Sequence, residues 1–534
     1  MGLLRNMAAG FGIFSGSGSR AFDAARYDTP EMENWYAPLT SGEDENLDAR
    51  DAVVRRARDL VRNHPIMSGA EDRRVESVVG PNIRLELQPA YRMLGQDVEW
   101  ADEWADDAEQ RFELFCRDPR KLADAEMQCQ FGGLVDMAYR HWWRDGEALG
   151  VVKMLPANGP RFGASYETCL HVVDPDRLSN PNGLPDHHRL STGRKLIGGI
   201  EYDRNGAPIA GHIRVAHPNQ KGPENTFRWQ RVPFYNRMGR PILIHAQQKK
   251  RAGQKRGISR MVSAMKRIKM LDRYDNAEIE AALLNAVMAA TVESPYPTKD
   301  VEAAMAPAST PSDDSWSLSK QIEHRSKSKL FLKGLRIMHL LPGEKMNFNR
   351  AERPAANYPD FQATGLRTVA ASLGLSYAQL AQNWSDINYS SARAMLNEVW
   401  RGLLHDRWLF TQAFCTPFLL AWMEEAVARG HVQLPEGPAS FYTRRAELTL
   451  CEWWGPGRGT VDPLKEGQAN DFMLNQGATD LTTIGNEQGR DFRKTLRNQS
   501  RERRARRDMG LPDYVPLRAV QGSQAEREEE TEDA

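Results

Sequence analysis

The sequence has no excess of charge of either sign, although it is rich in charged residues. Its 534 residues include 71 lysines and arginines against 71 aspartates and glutamates, so the formal net charge is zero. A neutral total removes the simplest argument for a nucleic-acid-binding protein, which is an overall basic composition. The charges are unevenly distributed, however. Basic runs lie near 249–273 and 490–507 and an acidic run extends from Glu526 to Asp533, so the neutral sum hides local fields that can act on a polyanion.

Cysteine pairs and long apolar runs are also lacking. The five cysteines are scattered, odd in number and never spaced as CxxC, which argues against both a disulfide framework and a zinc motif. We therefore expect no metal and no cofactor, and a chain that folds in a reducing cytosol. No window approaches 18 uninterrupted apolar residues, so we expect no membrane span.

Motifs of catalysis are equally scarce. The nearest approach to a phosphate-binding loop runs from Gly206 to Gly211, but His212 stands where a lysine must reach the phosphates and Pro208 removes a backbone N–H. We interpret it as a hairpin turn. The glycine-rich stretch 455–459 shows no strand–helix context and is interpreted as a surface turn. We predict no catalytic residues and no enzymatic activity, although a triad assembled in space leaves no motif.

The spacing of apolar residues predicts an α+β protein that is mainly α-helical. Apolar residues recur at three- and four-residue steps over 48–79 and, with many aromatic residues, over 99–150. An alternating strand is predicted at 83–87. Between 150 and 245 the pattern predicts a compact β module. Its strands are expected at 151–154, 171–173, 199–202 and 208–215, with turn residues at 203–206.

Long helices are predicted in the second half of the chain. The first covers Gly257–Glu293 and would extend roughly 55 Å at 1.5 Å per residue. The second covers Tyr358–Leu373, and the third runs from about Ser390 to Ala428, with a kink expected at Pro417. Long helices without a complete apolar face usually pack against copies or neighbours, so we predict an elongated subunit made for assembly.

Six groups of segments resemble, in the same order, the portal proteins of lambda-type tailed bacteriophages, and the resemblance covers most of the chain. They are Arg58–Pro65 followed by Val78–Gly80; Val173–Pro181; Gly253–Ser259 with Met270–Asp272; Leu341–Glu344; Leu373–Leu380 followed by Asn388–Arg393, Glu398 and Trp400; and Trp453–Gly455 with Arg458, Asp462 and Lys465–Glu466.

The resemblance implies a ring-forming subunit, with twelve copies at one capsid vertex of the virion, where head and tail join. Portal architecture comprises a β-containing wing, a two-helix stem, a small α/β clip, a long kinked spine helix and a helical crown. The implied parts are a flexible N-terminal arm (1–45), the wing (46–250), the first stem helix (251–294), the clip (295–350), the second stem helix (351–376), a tunnel loop (377–390), a long wing helix (391–435), the C-terminal wing and crown (436–515) and an acidic disordered tail (516–534).

Such a ring conducts double-stranded DNA during packaging and ejection, which requires weak, repeated contacts that are independent of base sequence. Basic residues crowd the start of the first long helix. They would face DNA or the packaging motor, or else pair between subunits and form a solvated face. They are Lys249, Lys250, Arg251, Lys255, Arg256, Arg260, Lys266 and Arg267.

Two further segments are candidates for DNA contact. The loop that would line the narrowest part of the tunnel comprises Gln382, Asn383, Trp384, Ser385, Asn388 and Tyr389. Trp384 has a second interpretation, as a packing anchor between subunits. The second basic run would meet packaged DNA as a helix near the crown, or would be a solvated helix or tail that balances the acidic terminus. It comprises Arg493, Lys494, Arg497, Arg501, Arg503 and Arg504.

The implied partners are the terminase large subunit at the clip, head–tail connector or adaptor proteins after packaging, and major capsid and scaffold proteins around the wing. Assembly is expected in the host cytoplasm, with no membrane involved. Two other classes are left open: another phage structural ring, such as a tail or baseplate component, and a DNA-packaging enzyme. The bore of a ring would distinguish the first, and a nucleotide-binding assay the second.

Overall fold

The computed structural model describes residues 29–512, apart from 31, 82, 223–226, 288–290, 294–330, 333–334, 337–344, 348–357, 386–388 and 460–461. Within this part of the chain the protein is a mixed α+β fold in which helices predominate and the sheets are small, which confirms the predicted class. Most of the predicted clip, the first part of the predicted arm and the acidic tail lie outside the described residues.

The N-terminal region is helical and contains one short strand. Its elements are α1 (Leu47–Asn63), α2 (Pro65–Val78), β1 (Arg84–Leu87), α3 (Val98–Cys116) and α4 (Phe131–Arg144).

The helical region predicted over 48–79 is interrupted between α1 and α2. His64 is extended, with φ −106° and ψ 116°. Two properties of Pro65 explain the break: it lacks an N–H, and it disfavours the helical conformation in the residue before it. The helical pattern predicted over 48–79 therefore corresponds to two helices, α1 and α2.

The β module consists of two antiparallel sheets. Their strands are β2 (Glu147–Met154), β3 (Thr168–Val173), β4 (His188–Arg189), β5 (Lys195–Ile197), β6 (Ile200–Tyr202), β7 (Pro208–Arg214), β8 (Trp229–Pro233) and β9 (Leu243–Gln247). One sheet has the order β3-β2-β9 and the other the order β4-β5-β6-β7-β8. Buried side chains from both sheets, among them Leu149, Ile200 and Leu243, share one core. The predicted β module is confirmed, although β4, β5, β8 and β9 were not predicted.

The predicted hairpin turn between β6 and β7 is confirmed. The Asp203 carboxylate accepts hydrogen bonds from the backbone N–H groups of Asn205 (2.9 Å) and Ala207 (2.7 Å). Gly206 has φ +82°, a left-handed conformation that glycine adopts without strain. The sequence Gly206–His212 therefore turns into a strand and does not form a phosphate-binding loop.

The second half of the chain contains the long helices and several two-stranded ladders. Its elements are α5 (Val262–Val287), β10 (Thr291–Glu293), β11 (Phe331–Leu332), β12 (Leu335–Arg336), β13 (Lys345–Asn347), α6 (Tyr358–Leu373), α7 (Tyr377–Ala381), α8 (Tyr389–Ala428), α9 (Arg445–Leu448), β14 (Cys451–Trp454), α10 (Pro463–Asn475), α11 (Leu481–Glu487) and α12 (Phe492–Asp508). The ladders are β10 with β13, β11 with β12, and β1 with β14, all antiparallel.

The bounds of α6 and α8 confirm the predictions to within one residue, but α5 is shorter than predicted. It begins at Val262 instead of Gly257, and residues 291–293 form a strand. A Cβ atom on Gly257 would lie 2.0 Å from the carbonyl oxygen of Gly146. The backbone N–H of Arg260 donates to the carbonyl of Trp143 at 3.1 Å. Residues 257–261 are thus held against the end of α4, and the helix starts beyond them.

Helix α8 passes through the main hydrophobic core. Phe410, Phe414, Phe418 and Trp422 recur every four residues and are fully buried. Phe418 stacks on Phe131 of α4 with ring centroids 5.1 Å apart. The helix, with Pro417 inside it, therefore connects the N-terminal helices to the β module.

Helices α5 and α6 pack directly against each other. The Tyr358 hydroxyl donates to the Asp275 carboxylate at 3.0 Å. Further along, Gly365 admits the side chain of Leu271, because a Cβ atom on Gly365 would lie only 2.5 Å from Cδ2 of Leu271. The missing side chain on α6 therefore allows close approach of the two helices.

The last part of the predicted flexible arm is attached to the β module. Glu43 forms an ion pair with Lys195 at 2.6 Å, and Asp44 hydrogen-bonds His187. Residues 43 and 44, at the end of the segment predicted as an arm, therefore contact the β module.

Candidate nucleic-acid interface

A buried carboxylate lies between the β module and the segment that leads to α5. Glu147, the first residue of β2, is fully buried and accepts hydrogen bonds from Arg50 (2.8 Å), from Nε of Arg256 (3.0 Å) and from the N–H of Gly257 (3.0 Å). Nε2 of His245 lies 2.9 Å from Oε2 of Glu147, the oxygen that also accepts from Gly257. Burial alone would raise the pKa of Glu147, but the charges of Arg256 and Arg50 hold it well below its usual range. We call these five residues the Glu147 cluster.

Arg256 belongs to this interior cluster and not to a basic surface. Its side chain is 4% exposed and also donates to the carbonyl oxygens of Leu178 (2.9 Å) and Gly198 (2.6 Å). A guanidinium enclosed in this way does not reach DNA or another subunit. The structure therefore corrects the prediction for Arg256, which joins the β module to the residues that precede α5.

Two other residues of the first basic group are also engaged within the subunit. Lys255 is buried, with Nζ 4.1 Å from the centre of the Tyr202 ring and 3.7 Å from Glu43, so the prediction that it faces DNA is wrong as well. Arg251 is exposed and pairs with Glu45 at 2.8 Å. The contacts of Lys255 with Glu43 and of Arg251 with Glu45 hold the end of the predicted N-terminal arm in place.

Arg260 is neutralised by a buried acid. Its guanidinium hydrogen-bonds Asp406 of α8, whose other oxygen accepts from Arg74 of α2 at 2.5 Å. Asp406 is 1% exposed and Arg260 is partly buried. One carboxylate thus joins α2, α8 and the residues before α5.

The remaining four basic residues differ in exposure. Lys249, Lys250 and Lys266 are exposed. Arg267 is half-buried, and its guanidinium lies 5.8 Å from the centre of the Phe361 ring. Three lysines of the predicted group of eight therefore present their charge to solvent without a carboxylate within ion-pair distance in the described part of the chain.

The second basic run forms helix α12, which rests on α3. Arg493 pairs with Asp102 at 2.5 Å and Arg497 with Asp106 at 3.0 Å. The Asp491 carboxylate caps the helix by accepting from the N–H of Lys494 at 3.0 Å. The first turns of α12 are thus attached to an acidic helix of the same subunit.

Helix α12 also carries unpaired positive charge, at Lys494 in its first turn and at arginines farther along. No residue of the helix is buried. Lys494, Arg501, Arg503 and Arg504 are exposed, and within the described residues none of them has an acidic side chain within ion-pair distance. This is the largest exposed group among the predicted basic residues, and its exposure is what contact with a polyanion requires.

The predicted tunnel loop is described only in part. Gln382 ends α7 in a left-handed conformation (φ +54°). The Asn383 side chain accepts from both the N–H (3.1 Å) and the hydroxyl (2.6 Å) of Ser385. Trp384 is 45% exposed. Asn388 lies outside the described residues, and Tyr389 begins α8. The polar groups of Asn383 and Ser385 therefore satisfy each other, while the Trp384 ring is not enclosed by this subunit.

Large apolar side chains are exposed on two helices. Leu404 and Trp408 of α8 are 39% and 59% exposed, whereas other members of the same apolar stripe form the core. Helix α10 has no buried residue and exposes Leu464, Phe472 and Met473. Surfaces of this kind mark contacts with other proteins.

The glycine-rich stretch 455–459 follows β14 and precedes α10, so the prediction that it lacks a strand–helix context is wrong. Gly455 is buried, and a Cβ atom there would lie 2.7 Å from the carbonyl oxygen of Val78 and 2.8 Å from Nε of Arg407. Strand β14 is antiparallel to β1, which differs from the parallel sheet of a dinucleotide-binding unit. The stretch is a packed connection.

The described residues contain one group with the spacing of metal ligands: Asp174, Asp176 and His217. Arg58 donates to Asp176 at 2.8 Å and to Asp174 at 3.0 Å. A guanidinium thus already supplies the positive charge between these carboxylates. In the same described part, no helix is long and apolar enough to cross a membrane.

The residues that sequence reasoning missed are the acids Glu147 and Asp406. Their partners are distant in sequence, for example Arg74 for Asp406, so no local motif reveals them. A weak signal exists for Glu147, which is a lone charge at the start of the apolar run 148–152.

A mainly helical α+β subunit whose exposed features are basic and apolar surfaces has the character of a structural protein. Comparison with known proteins gives the family. The model of the phage portal proteins of the lambda family matches residues 28–407. The chain belongs to this family, whose members are structural components of the phage virion at the junction of head and tail.

Relatives align over nearly the whole chain. It is 29% identical over 512 residues to the portal protein of Escherichia phage N15, which covers 94% of each chain. It is 28% identical over 511 residues to portal protein B of Escherichia phage lambda, covering 94% of this chain and 93% of the relative. The probable portal protein of Halomonas phage phiHAP-1 is 24% identical over 544 residues, covering 96% and 92%.

Solved structures with some similarity come from the neck of a gene transfer agent particle. A chain of the native neck computed with C12 symmetry has a TM-score of 0.41 and 12% identity, and a chain of the empty-particle neck computed with C6 symmetry has a TM-score of 0.43 and 13% identity. Each comparison covers 87% of this chain and 94% of the other.

Proposed function

We propose that this chain is one subunit of a ring-shaped channel at a single capsid vertex, through which double-stranded DNA is packaged and ejected. The observation that carries the proposal is the extent of the family match: residues 28–407 fit the portal family, and relatives named portal proteins align over 94% of the chain. We propose twelve copies in the ring, as the resemblance in the sequence implies.

The proposed parts of the subunit correspond to described elements. The wing comprises α1–α4 and the β module, and the stem comprises the packed helices α5 and α6. The clip lies between these two helices in sequence, residues 382–389 form the tunnel loop, and α8 is the spine. Helices α10–α12 belong to the C-terminal wing and crown. The attachment of the stem region to the wing through the Glu147 cluster supports this division, because it fixes the residues before α5 on a rigid base.

The exposed apolar side chains fit contacts between neighbouring copies. Trp408 and Leu404 on α8, and Phe472 on α10, are large groups that one subunit leaves in water. Burial of such a side chain contributes about 1.5–3 kcal/mol. We propose that adjacent subunits cover them, and that Trp384 has the same role beside the tunnel.

DNA is proposed to meet exposed cations and not the buried ones. The candidates are Lys494, Arg501, Arg503 and Arg504 of α12, together with Lys249, Lys250 and Lys266 near the stem. Exposed charges in water interact weakly with phosphate and are screened by salt, which suits a strand that must slide. The proposed partners are the terminase large subunit at the clip, head–tail connector proteins, and capsid and scaffold proteins around the wing, with assembly in the host cytoplasm.

Electron microscopy of the purified protein, with its mass in solution, tests the ring. The expected result is rings with a central hole wide enough for duplex DNA, at twelve times the subunit mass of 60.4 kDa. A stable monomer that hydrolyses nucleotides would contradict the proposal and favour a packaging enzyme. Rings whose bore is too narrow for duplex DNA would favour a different structural ring.

DNA contact through α12 is tested by charge removal. The variant Arg501→Gln, Arg503→Gln, Arg504→Gln is expected to weaken duplex binding and to flatten its salt dependence by about 0.9 for each lost phosphate contact. The control replaces Arg111, Arg117 and Arg120 by glutamine. The side chains of these arginines are 41–48% exposed, and the net charge changes equally. Equal effects of both variants would show that only total charge matters.

A further inference from the structure

The exposed part of α12 carries arginines whose like charges repel one another. Arg497 and Arg501 are four residues apart, Arg501 and Arg504 three, and Arg503 and Arg507 four. Like charges at these spacings lie on one face of a helix and destabilise it. Arg501, Arg503, Arg504 and Arg507 have no carboxylate within ion-pair distance among the described residues. An anionic partner would therefore stabilise the helix.

The end of α12 turns the chain back toward the helix. Gly510 is left-handed (φ +67°), and its N–H donates to the carbonyl of Arg507 at 3.1 Å. The N–H of Leu511 donates to the carbonyl of Arg506 at 2.8 Å, which completes a helix-ending turn of the Schellman type. The Arg506 guanidinium then donates twice to the carbonyl of Pro512, at 3.0 and 2.8 Å. The chain is thus held beside the last turn of α12 where the described residues end.

The sequence that follows supplies the complementary charge. Six of the eight residues from Glu526 to Asp533 are acidic. The fourteen steps of chain from Pro512 to Glu526 can span at most roughly 50 Å, and the 17 residues of α12 extend roughly 25 Å. The acidic segment is therefore long enough and close enough to reach every exposed arginine of the helix from which it continues.

We infer that the acidic segment 526–533 binds the exposed arginines of α12 (Arg501, Arg503, Arg504 and Arg507) when DNA is absent and that DNA displaces it. The inference rests on the proposed function, because it assigns to the same arginines a second, internal polyanion. Because it is tethered to α12, the segment has a high effective concentration near the helix. It carries fewer negative charges than a DNA duplex, so DNA can displace it. The segment would thus limit unspecific binding to stray nucleic acid without preventing contact with the packaged genome.

Two variants of the full chain and their combination test the inference by duplex binding at several salt concentrations. In the first, the five glutamates and Asp533 of the segment are replaced by glutamine and asparagine. Its affinity at low salt is expected to rise about tenfold and its salt dependence to steepen, because DNA no longer has to displace the segment. The second is the α12 variant with glutamine at 501, 503 and 504. Neutralising the segment in this background is expected to change little.

If neutralising the segment raised DNA affinity as much in the α12 variant as in the unaltered chain, the inference would be overturned. The segment would then act through total charge. The inference would also be overturned if neutralising the segment left DNA affinity unchanged in both backgrounds. A spin label at Gln524→Cys, in a Cys129→Ser background, gives a readout that needs no DNA; the other four native cysteines are buried. The label is expected to become more mobile at high salt and in the α12 variant. If DNA binding never depends on α12, the proposed DNA contact fails, and label mobility alone then decides whether the segment binds the helix.

Discussion

Replacing Glu147 by glutamine should loosen the connection between the β module and the residues that precede α5. The carboxylate accepts hydrogen bonds from Arg50, Arg256 and the N–H of Gly257, and it is fully buried. Glutamine has nearly the same shape but no charge and one acceptor oxygen. The substitution therefore leaves the enclosed Arg256 without a counter-ion and Arg50 with only the exposed Asp51, while disturbing the packing little.

The structure indicates how large the effect should be. Arg256 keeps the carbonyls of Leu178 and Gly198, whereas Arg50 keeps only Asp51, at 3.1 Å on the surface. Removing one partner of a buried ion pair costs about 3–5 kcal/mol. The matched exposed pair Glu113–Arg117, at 2.8 Å with both side chains about half exposed, should lose at most about 1 kcal/mol in Glu113→Gln.

Hydrogen exchange of the Gly257 amide measures the effect locally. A loss of about 3 kcal/mol corresponds to roughly a hundredfold faster exchange through local opening. Adding Arg50→Met should recover part of the loss, because one orphaned charge is then removed. The reasoning would be refuted if the Gly257 amide exchanged at the same rate in Glu147→Gln as in the unaltered protein. It would also be refuted if Glu113→Gln accelerated that exchange as much as Glu147→Gln does. Because the pKa of Glu147 is lowered, the ionised carboxylate stabilises the fold above its ordinary pKa of 4.5, and the difference between the proteins should close only in stronger acid.

Three other substitutions have defined outcomes. Glu109→Gln should stabilise the fold by about 3 kcal/mol at pH 8 and by less than about 1 kcal/mol at pH 5. Burial raises the pKa of Glu109 to about 7, so the wild-type fold loses stability as the pH rises from 4.5 to that value. Equal shifts of the thermal midpoint at both pH values would contradict this. Gly365→Ala should lower stability by about 1–3 kcal/mol in thermal unfolding through the close contact with Leu271, whereas Gly402→Ala, with nothing within 4 Å, should not. Asp406→Asn should cost about 3–5 kcal/mol by leaving Arg74 buried and unpaired, and a loss below 1 kcal/mol in denaturant unfolding would contradict the ion-pair argument.

The long helices could be predicted from the sequence because their signals are local. Helix α6 ends at Leu373, and the next residue, Gly374, is left-handed (φ +67°), as a glycine after a helix often is. Helix α8 has an apolar residue at each turn of its buried face. The break at His64 was equally local, since Pro65 is visible in the sequence. It was passed over because the apolar spacing continues on both sides of it.

The start of α5 and the roles of the basic residues could not be predicted in this way. Residues 257–261 are drawn out of the helix by Glu147 and by the carbonyl of Trp143, more than a hundred residues earlier in the chain. The burial of Arg256 has the same cause. In the sequence it stands in a basic run beside Lys255, and only the tertiary fold shows that both cations are enclosed. The arginines at 501, 503 and 504 of α12 are exposed because no such partners hold them in the interior.

The pairing of β1 with β14 has a consequence for how the protein is made. Arg84 lies opposite Trp454, 370 positions later in the chain, and 363 residues lie between the two strands. At about 5–20 residues per second, the ribosome needs roughly 20–70 s to deliver the second strand after the first. Throughout that time the N-terminal strand has an open edge. A chain whose synthesis stops early never closes it, so truncated products lack a finished surface to offer to a growing assembly.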